Sequence, residues 1–171
     1  MTTMIWSFRT LGFILLACSV AGCERSTQVR LEGGGGMAPV FDLSGSGAVA
    51  IFTVYSPDYM TKAKCPGDED FALWKIKASG GYFSGTWISD LGSIAYGVVP
   101  SGYVQVRPKE GAPPPLVEGQ KYSYFVETTN APGAGGYLEI KNSRAVPTTG
   151  SGPCFQLKNG KETLVPCPKG F

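Results

Sequence analysis

The stretch that decides the fold is Ala48-Val49-Ala50-Ile51-Phe52-Thr53-Val54-Tyr55. It is dense in β-branched and aromatic residues, the side chains that fit a pleated and buried surface. Apolar residues occupy both faces of this run, and Pro57 ends it. The stretch therefore predicts a β-strand that is covered on both sides.

The next long run, Phe71–Ala78, alternates apolar and polar residues. Its small and large apolar residues fall on one face, and Lys75 and Lys77 fall on the other. Trp74 lies in the middle of the apolar face, so we predict that it occupies the centre of the hydrophobic core.

Further short apolar runs are separated by glycine, proline and asparagine. The predicted strands are Val40–Leu43, Ile88–Leu91, Ser93–Val98, Tyr103–Arg107, Tyr122–Thr129 and Tyr137–Lys141. The chain has 24 Gly and 13 Pro and is 12% aromatic, a composition that suits strands and turns better than long helices. Recurring strands without helical periodicity predict an all-β, two-sheet sandwich.

One region resembles a known family. Leu116, Gly119, Tyr122 and Val126 have the spacing Leu-x-x-Gly-x-x-Tyr-x-x-x-Val, followed by Thr-Asn-Ala-Pro-Gly. This is similar to the E–F corner, F strand and F–G loop of a fibronectin type III domain. The resemblance implies an immunoglobulin/fibronectin III-like sandwich in which Tyr122 is a tyrosine corner, its hydroxyl returning to the backbone a few residues upstream.

The N-terminal segment has the pattern of a secretory signal. Arg9 is its only charged residue, and Leu11–Val20 is an apolar run of about ten residues, where a membrane-spanning helix needs roughly 20. The run ends in Val20-Ala21-Gly22-Cys23, which resembles the lipobox of bacterial lipoproteins. That resemblance implies cleavage before Cys23 and a membrane anchor of acyl chains on Cys23. An ordinary signal peptide and an uncleaved anchor are the alternatives.

These patterns divide the chain into four parts. We predict a signal peptide over residues 1–22, a lipidated flexible tether over 23–39, a β-sandwich domain over 40–145, and a linker with a C-terminal hairpin over 146–171. The tether contains four consecutive glycines, which give a flexible chain. Glu24, rather than Asp, follows the lipobox cysteine and under the enterobacterial sorting habit favours the outer membrane.

Three cysteines remain once the signal peptide and Cys23 are set aside: Cys65, Cys154 and Cys167. Outside the cytoplasm they can form disulfides. Asn159-Gly160 favours a two-residue turn that pairs Cys154 with Val165, two residues short of Cys167. We predict a Cys154–Cys167 bridge, and Cys65 bridged to one of the two is the alternative.

The chain has no histidine, which excludes Ser-His and Cys-His mechanisms and histidine-ligated metal. Asp68-Glu69-Asp70 lacks the alternation of a calcium loop, so we expect no metal and no cofactor. A net charge of +2 without a basic run argues against nucleic acid. We expect a protein that is not an enzyme; the alternative is a small envelope hydrolase with a Ser-Lys or carboxylate pair.

Recognition remains as the expected activity. Tyr96, Tyr103, Arg107 and Pro114 lie in Gly/Pro-rich connections, and tyrosine with arginine is typical of contact hot spots. Alternatively, the aromatic rings cover a sandwich edge and the prolines stiffen the approach to the next strand. We expect a lipid-anchored periplasmic binding protein with a protein partner, either an envelope adaptor or an immunity or inhibitor protein.

Overall fold

The computed structural model describes residues 25–32, 37–65 and 67–149, together with the backbone of residues 154–158 and 161–165. The described chain is built almost entirely from strands. They are β1 (Gln28–Glu32), β2 (Val40–Ser44), β3 (Ala48–Tyr55), β4 (Ala72–Ala78), β5 (Thr86–Trp87), β6 (Ser93–Ala95), β7 (Tyr103–Arg107), β8 (Lys121–Thr129), β9 (Ala134–Lys141), β10 (Arg144–Thr148), β11 (Cys154–Lys158) and β12 (Lys161–Val165).

The strands form two main sheets, which confirms the predicted all-β, two-sheet architecture. The smaller sheet has the order β1-β2-β6, and the larger has the order β10-β9-β8-β3-β4-β7, with β5 pairing with β3. The helical elements are single turns: α1 (Tyr59–Lys62), α2 (Ile88–Leu91) and 3₁₀ turns at Glu69–Phe71 and Tyr82–Ser84. None of the helices in the described ranges has the length and apolar character needed to cross a bilayer.

Strand β3 occupies the middle of the larger sheet, as its composition predicts. It pairs antiparallel with β4 on one side and with β8 on the other. Phe52 and Val54 point into the core and are fully buried, while Thr53 on the opposite face is only 2% exposed. A strand with neighbours on both edges and cover on both faces requires apolar residues at nearly every position, which this stretch provides.

Aromatic rings join the two sheets at the centre of the core. Phe41 of β2 meets Phe52 with ring centroids 4.8 Å apart and Tyr124 with centroids 5.0 Å apart, both edge to face. Phe52 in turn meets Trp74 at 5.7 Å. Trp74 is fully buried, so its predicted place at the centre of the core is confirmed. Its indole Nε1 donates to Gln105 Oε1 at 3.2 Å.

Tyr122 makes the contact that the resemblance implies. Its side chain is 3% exposed, and its hydroxyl accepts a hydrogen bond of 2.8 Å from the backbone N–H of Val117, five residues upstream. Leu116, beside that amide, is 2% exposed and belongs to the core. The bond therefore fixes the chain as it enters β8.

The predicted tether is wrong for Gln28–Glu32, which form strand β1 and pair with β2. Val29 and Leu31 pack against the core, while the residues between them face outwards. This alternation is a strand pattern in itself. The glycines at 33–36 lie outside the described residues.

Two other predicted boundaries also need correction. Ile88–Leu91 is a helical turn and not a strand: the N–H of Gly92 donates to the carbonyl of Ile88 at 2.9 Å, and Gly92 has φ +67, a backbone conformation that favours glycine. The sandwich also continues past residue 145, because β10 pairs with β9 through Thr148 and is not a linker.

The C-terminal hairpin has the predicted register, with Cys154 opposite Val165. Cys167, the signal peptide and Cys23 lie outside the described residues, so the Cys154–Cys167 bridge and the lipid anchor stay predictions. Cys65 is exposed and has no disulfide partner among the described residues, so its alternative bridge to Cys154 or Cys167 also stays a prediction.

The Tyr122 hydrogen bond can be tested by removing one atom. Tyr122→Phe is expected to lower the free energy of unfolding by about 1 kcal/mol or more, because the N–H of Val117 loses a partly buried acceptor. Urea unfolding followed by circular dichroism measures the change. Tyr82→Phe is the matched control, since Tyr82 is 46% exposed. Equal midpoints for the two variants would contradict a stabilising role for this hydroxyl.

Candidate functional site

A cleft lies on the outer face of the larger sheet, over β3, β8 and β9. Its volume is about 670 Å³. Its lining is rich in aromatic rings, with one carboxylate, one serine and several glycines. The residues that form it are Tyr55, Tyr59, Gly67, Tyr82, Ser123, Tyr124, Phe125, Glu127, Thr128, Gly133, Gly135, Gly136 and Tyr137. We call it the tyrosine cleft.

The alternation of β8 produces the floor of the tyrosine cleft. Tyr122, Tyr124 and Val126 point into the core, so Ser123, Phe125 and Glu127 point outwards. The strand register places Tyr55 and Tyr137 on either side of Ser123. The floor is therefore a row of side chains across three strands, which no single segment of sequence contains.

One wall of the tyrosine cleft is the segment between β3 and β4. Tyr59 of α1 stacks on Tyr55 with ring centroids 4.1 Å apart and an interplanar angle of 20°. The Tyr59 hydroxyl accepts from the N–H of Gly67 at 3.2 Å. Burial of these two rings raises the pKa of both phenols above the ordinary value.

A single ion pair fastens this segment to the sheet. Lys75 Nζ lies 2.6 Å from Glu69 Oε1, and the Lys75 side chain is only 14% exposed. The hydrogen bond and positive charge of Lys75 hold the pKa of Glu69 below its usual range. Lys75 stands on the outer face of β4 opposite Thr53, and so the contact joins the wall to the edge of the cleft floor.

Ser123 is an unusual feature of the floor. The residue is 6% exposed, and its Oγ is buried with no hydrogen-bond partner among the described residues. A buried hydroxyl without a partner loses its hydrogen bonds to water and gains none in return, which costs about 1–3 kcal/mol. Such a group in a cleft marks a position where a ligand atom can supply the missing bond.

Glu127 is the only carboxylate in the lining and lies four residues from Ser123 on β8. It is half-buried, and the loss of surrounding water raises its pKa above the usual range, while the nearby Lys75 acts in the opposite direction. No side-chain hydrogen bond to Glu127 is present in the described structure. The carboxylate is therefore free to accept a donor from a ligand.

The opposite wall of the tyrosine cleft is shallow because glycines, which have no side chain, form part of it. A Cβ on Gly135 would approach Cδ2 of Phe125 to 2.8 Å, and Gly135 lies directly opposite Phe125 in the register. The missing side chain lets the Phe125 ring lie over β9, where it is 41% exposed. The cleft therefore combines a rigid backbone floor with exposed aromatic surface.

The predicted contact residues Tyr96 and Pro114 meet each other, but as a structural pair. The Tyr96 hydroxyl donates to the carbonyl of Pro114 at 2.8 Å, and the Tyr96 ring packs on Trp74 at 5.5 Å. Tyr96 is 7% exposed, which favours the alternative that its ring covers a sandwich edge over a contact with a partner. Pro114 itself is exposed. A smaller, mostly apolar hollow of about 290 Å³ lies beside this pair.

Tyr103 also belongs to the interior. It is 7% exposed. Its hydroxyl donates to the carbonyl of Val49 at 2.7 Å and accepts from the N–H of Thr86 at 3.2 Å. The positions of Tyr96 and Tyr103 agree with the alternative interpretation, in which these aromatic rings cover a sandwich edge. Arg107 ends β7 and is half-buried, away from the tyrosine cleft lining.

The acidic turn at Asp68–Asp70 has a local structural role. Asp68 accepts from the backbone N–H of Asp70 at 3.3 Å, and Glu69 pairs with Lys75. Among the residues that the structure describes, no group of three or more acidic, cysteine or histidine side chains is placed to hold a metal ion.

Sequence reasoning missed the tyrosine cleft because its parts come from three distant segments. A local signal was nevertheless present: Ser123, Phe125 and Glu127 alternate with the apolar face of a strand whose inner side is well defined. Their outward direction follows from that alternation. The burial of Ser123 depends on cross-strand neighbours and does not follow from it.

No protein-family model, no curated protein and no solved structure matches this chain.

The raised pKa of Glu127 has a testable consequence for stability. A carboxyl with a raised pKa binds its proton more tightly in the folded state, so its contribution to stability is complete below the unfolded value of about 4.3 and is lost as pH rises through the folded value. Glu127→Gln removes the ionisable group, so the variant does not lose this stability as the pH rises. The variant is expected to unfold at a higher urea concentration than wild type at pH 7, with the difference shrinking at pH 4.

The control for this experiment is Glu110→Gln, the same substitution in an exposed turn. It is expected to move the urea midpoint little at either pH. A Glu127→Gln variant that is less stable than wild type at pH 7 would show that the carboxylate is satisfied within the fold, contrary to its position in the cleft.

Proposed function

We propose that this chain is a lipid-anchored binding protein of the bacterial cell envelope that recognises a protein partner through the tyrosine cleft. The observation that carries the proposal is the buried, unpartnered Oγ of Ser123 in the same cleft as the half-buried carboxylate of Glu127. A buried hydroxyl without a partner and a partly desolvated carboxylate each gain when a ligand supplies a hydrogen bond.

The chemistry of the tyrosine cleft suits protein recognition. Tyrosine presents a large, rigid and amphipathic surface at a low cost in conformational entropy, which is why it is frequent in binding sites. The carboxylate of Glu127 only accepts hydrogen bonds, so it selects a donor such as a backbone N–H, a lysine or an arginine. Ser123 can donate or accept, so it adds a second point of attachment without fixing the charge of the partner.

The spacing of the two polar groups favours binding over catalysis. Ser123 and Glu127 are four residues apart on one strand, and a rise of about 3.3 Å per residue separates their Cα atoms by about 13 Å. Groups so far apart do not act together on one reacting atom, but they can hold an extended segment at two points. The lining of the tyrosine cleft contains one carboxylate and no lysine, so this cleft does not supply the Ser-Lys or carboxylate pair of the alternative, a small envelope hydrolase.

We also propose an immunoglobulin/fibronectin III-like fold type. In this interpretation β1, β2 and β6 are strands A, B and E, and β3, β8 and β9 are strands C, F and G. The Tyr122 hydroxyl on the second of these sheets supports the assignment, since it bonds to the backbone just before strand F. Strands β7 and β10 are then additions at the two edges of the larger sheet.

The anchor rests on the Val20-Ala21-Gly22-Cys23 sequence. Acyl chains on Cys23 would hold the domain at the periplasmic face of a membrane, with Glu24 favouring the outer one. Two roles fit a tethered binding domain: an adaptor in an envelope assembly, or an immunity or inhibitor protein that neutralises a periplasmic effector. A toxin gene beside this one would favour the second role.

The lipid anchor is tested by Cys23→Ala. The variant is expected to lose incorporation of radiolabelled palmitate and to accumulate as the uncleaved precursor, because the acceptor thiol is absent. Labelling and apparent mass on a gel are the two readouts. Cys65→Ala is the matched control and should be labelled and processed like wild type. Normal labelling of Cys23→Ala would contradict the lipobox interpretation.

The recognition site is tested by photocrosslinking in the native envelope. A photoreactive amino acid in place of Tyr137, in the cleft, is expected to capture a partner that the same group in place of Val117 does not; Val117 is 56% exposed and lies outside the cleft. Adding Glu127→Gln should reduce the captured partner about tenfold, the effect of losing one charge-assisted hydrogen bond.

Ser123→Ala separates binding from folding. It should weaken capture while leaving the free energy of unfolding unchanged or higher, because it removes an unsatisfied buried hydroxyl. Glu110→Gln is the control and should capture the partner normally. If Ser123→Ala and Glu127→Gln each capture as much partner as the wild type does, the recognition surface lies elsewhere on the molecule.

A further inference from the structure

Two aromatic side chains stand exposed at one end of the sandwich, outside the tyrosine cleft lining. Phe83 is 89% exposed and Trp87 is 51% exposed, although both residues are usually buried. They lie in the connection from β4 to α2, where glycines surround them and the rest of the segment turns back onto the sheet. We call Phe83 and Trp87 the aromatic tip.

Strand pairing shows at which end of the sandwich the aromatic tip lies. Trp87 pairs with Ala48, the first residue of β3, and the N–H of Ile88 donates to the carbonyl of Gly47 at 3.0 Å. Strand β4 runs antiparallel to β3, and so its last residue, Ala78, also lies at the start of β3. The aromatic tip therefore belongs to the end that holds the Ser44–Gly47 turn.

The N-terminal part of the described chain reaches the domain at the same end. The carbonyl of Arg25 accepts from the N–H of Ser46 at 3.0 Å and from its Oγ at 2.7 Å. The N–H of Thr27 donates to the carbonyl of Pro132, in the turn between β8 and β9. Arg25 is thus held against the turn that precedes β3.

Cys23 is only two residues from Arg25. Two residues span at most about 7 Å, so an acyl chain on Cys23 begins directly beside this end of the domain. Because β1 forms where a flexible tether was expected, little free chain separates Cys23 from the domain. The domain therefore cannot rotate to present its opposite end to the membrane. An anchored domain must therefore hold this end towards the bilayer.

The charged residues are distributed unevenly between the connections at the two ends of the sandwich, in agreement with this orientation. The described connections at this end, residues 44–47, 79–92, 101–102 and 130–133, contain one charged side chain, that of Asp90, and Arg25 lies beside them. The connections at the opposite end carry many: Asp58, Lys62, Lys64, Asp68, Glu69, Asp70, Lys109, Glu110 and Glu118. Aromatic residues favour the membrane interface, and charged groups resist entering it.

We propose that the aromatic tip inserts into the interfacial layer of the membrane that carries the acyl chains, and fixes the orientation of the domain on it. The inference rests on the proposed anchor at Cys23. Two acyl chains and two aromatic side chains then hold the domain at separate points, so that the segment carrying Tyr59 and the charged turns faces away from the lipid. The tyrosine cleft, which runs along the strands, opens sideways to the periplasm.

Tryptophan fluorescence of the lipidated protein tests this placement. Without the predicted signal peptide the chain has two tryptophans, Trp74 and Trp87, and Trp74 is fully buried. In vesicles of phosphatidylcholine with brominated acyl chains, the emission of Trp87 is expected to be quenched. Trp87→Phe should abolish the quenching, and Phe83→Ser should reduce it by withdrawing the tip.

Val117→Ser is the matched control, an exposed apolar residue at the opposite end, and should be quenched like wild type. Mass spectrometry of the N-terminal peptide reports the anchor separately. Lipidated wild type that is quenched no more than Trp87→Phe overturns the inference and leaves the anchor intact. Absence of lipid mass on Cys23 overturns both. Loss of partner capture in Phe83→Ser, without quenching in wild type, would assign the aromatic tip to a protein contact instead.

Discussion

The edge-to-face contact of Phe41 with Phe52 and Tyr124 is the interaction on which the two-sheet arrangement depends. The smaller sheet has only three strands, and Phe41 stands in its middle one. Its fully buried ring touches two strands of the larger sheet at once, at centroid distances of 4.8 and 5.0 Å. Aromatic pairs of this geometry contribute about 0.5–1.5 kcal/mol beyond the area that they bury, so this cluster fixes the position of one sheet over the other.

The tyrosine cleft follows from that constraint. Because Tyr124 and Val126 must face the smaller sheet, their neighbours on β8 must face away from it. A sandwich of two sheets leaves the outer face of each sheet open unless a connection covers it. Here the segment from Ser56 to Asp70 covers part of that face, held by the Tyr55–Tyr59 stack and the ion pair of Lys75 with Glu69, and the uncovered remainder is the cleft.

What the sequence could predict depends on how local each feature is. Trp74 and Tyr122 were placed correctly because alternation within one strand, and a fixed spacing before another, carry the information. For Tyr96 and Tyr103 the sequence leaves partner contact and cover of a sandwich edge both open, because their hydroxyls bond to the distant backbone carbonyls of Pro114 and Val49, which the surrounding glycine and proline do not reveal. The row of Tyr55, Ser123 and Tyr137 is a product of strand register, and register between distant strands is not written in any one segment.

Strand β1 shows how a small correction to the fold changes the functional interpretation. A flexible tether over residues 23–39 would let the domain sample many orientations, and no face of it would have a fixed relation to the membrane. Pairing of Gln28–Glu32 with Val40–Ser44 instead ties the chain to the sandwich within a few residues of Cys23. The same pairing hides Val29 and Leu31, which pack against the core. One strand therefore completes the smaller sheet and determines which end of the domain a lipid on Cys23 would hold at the bilayer.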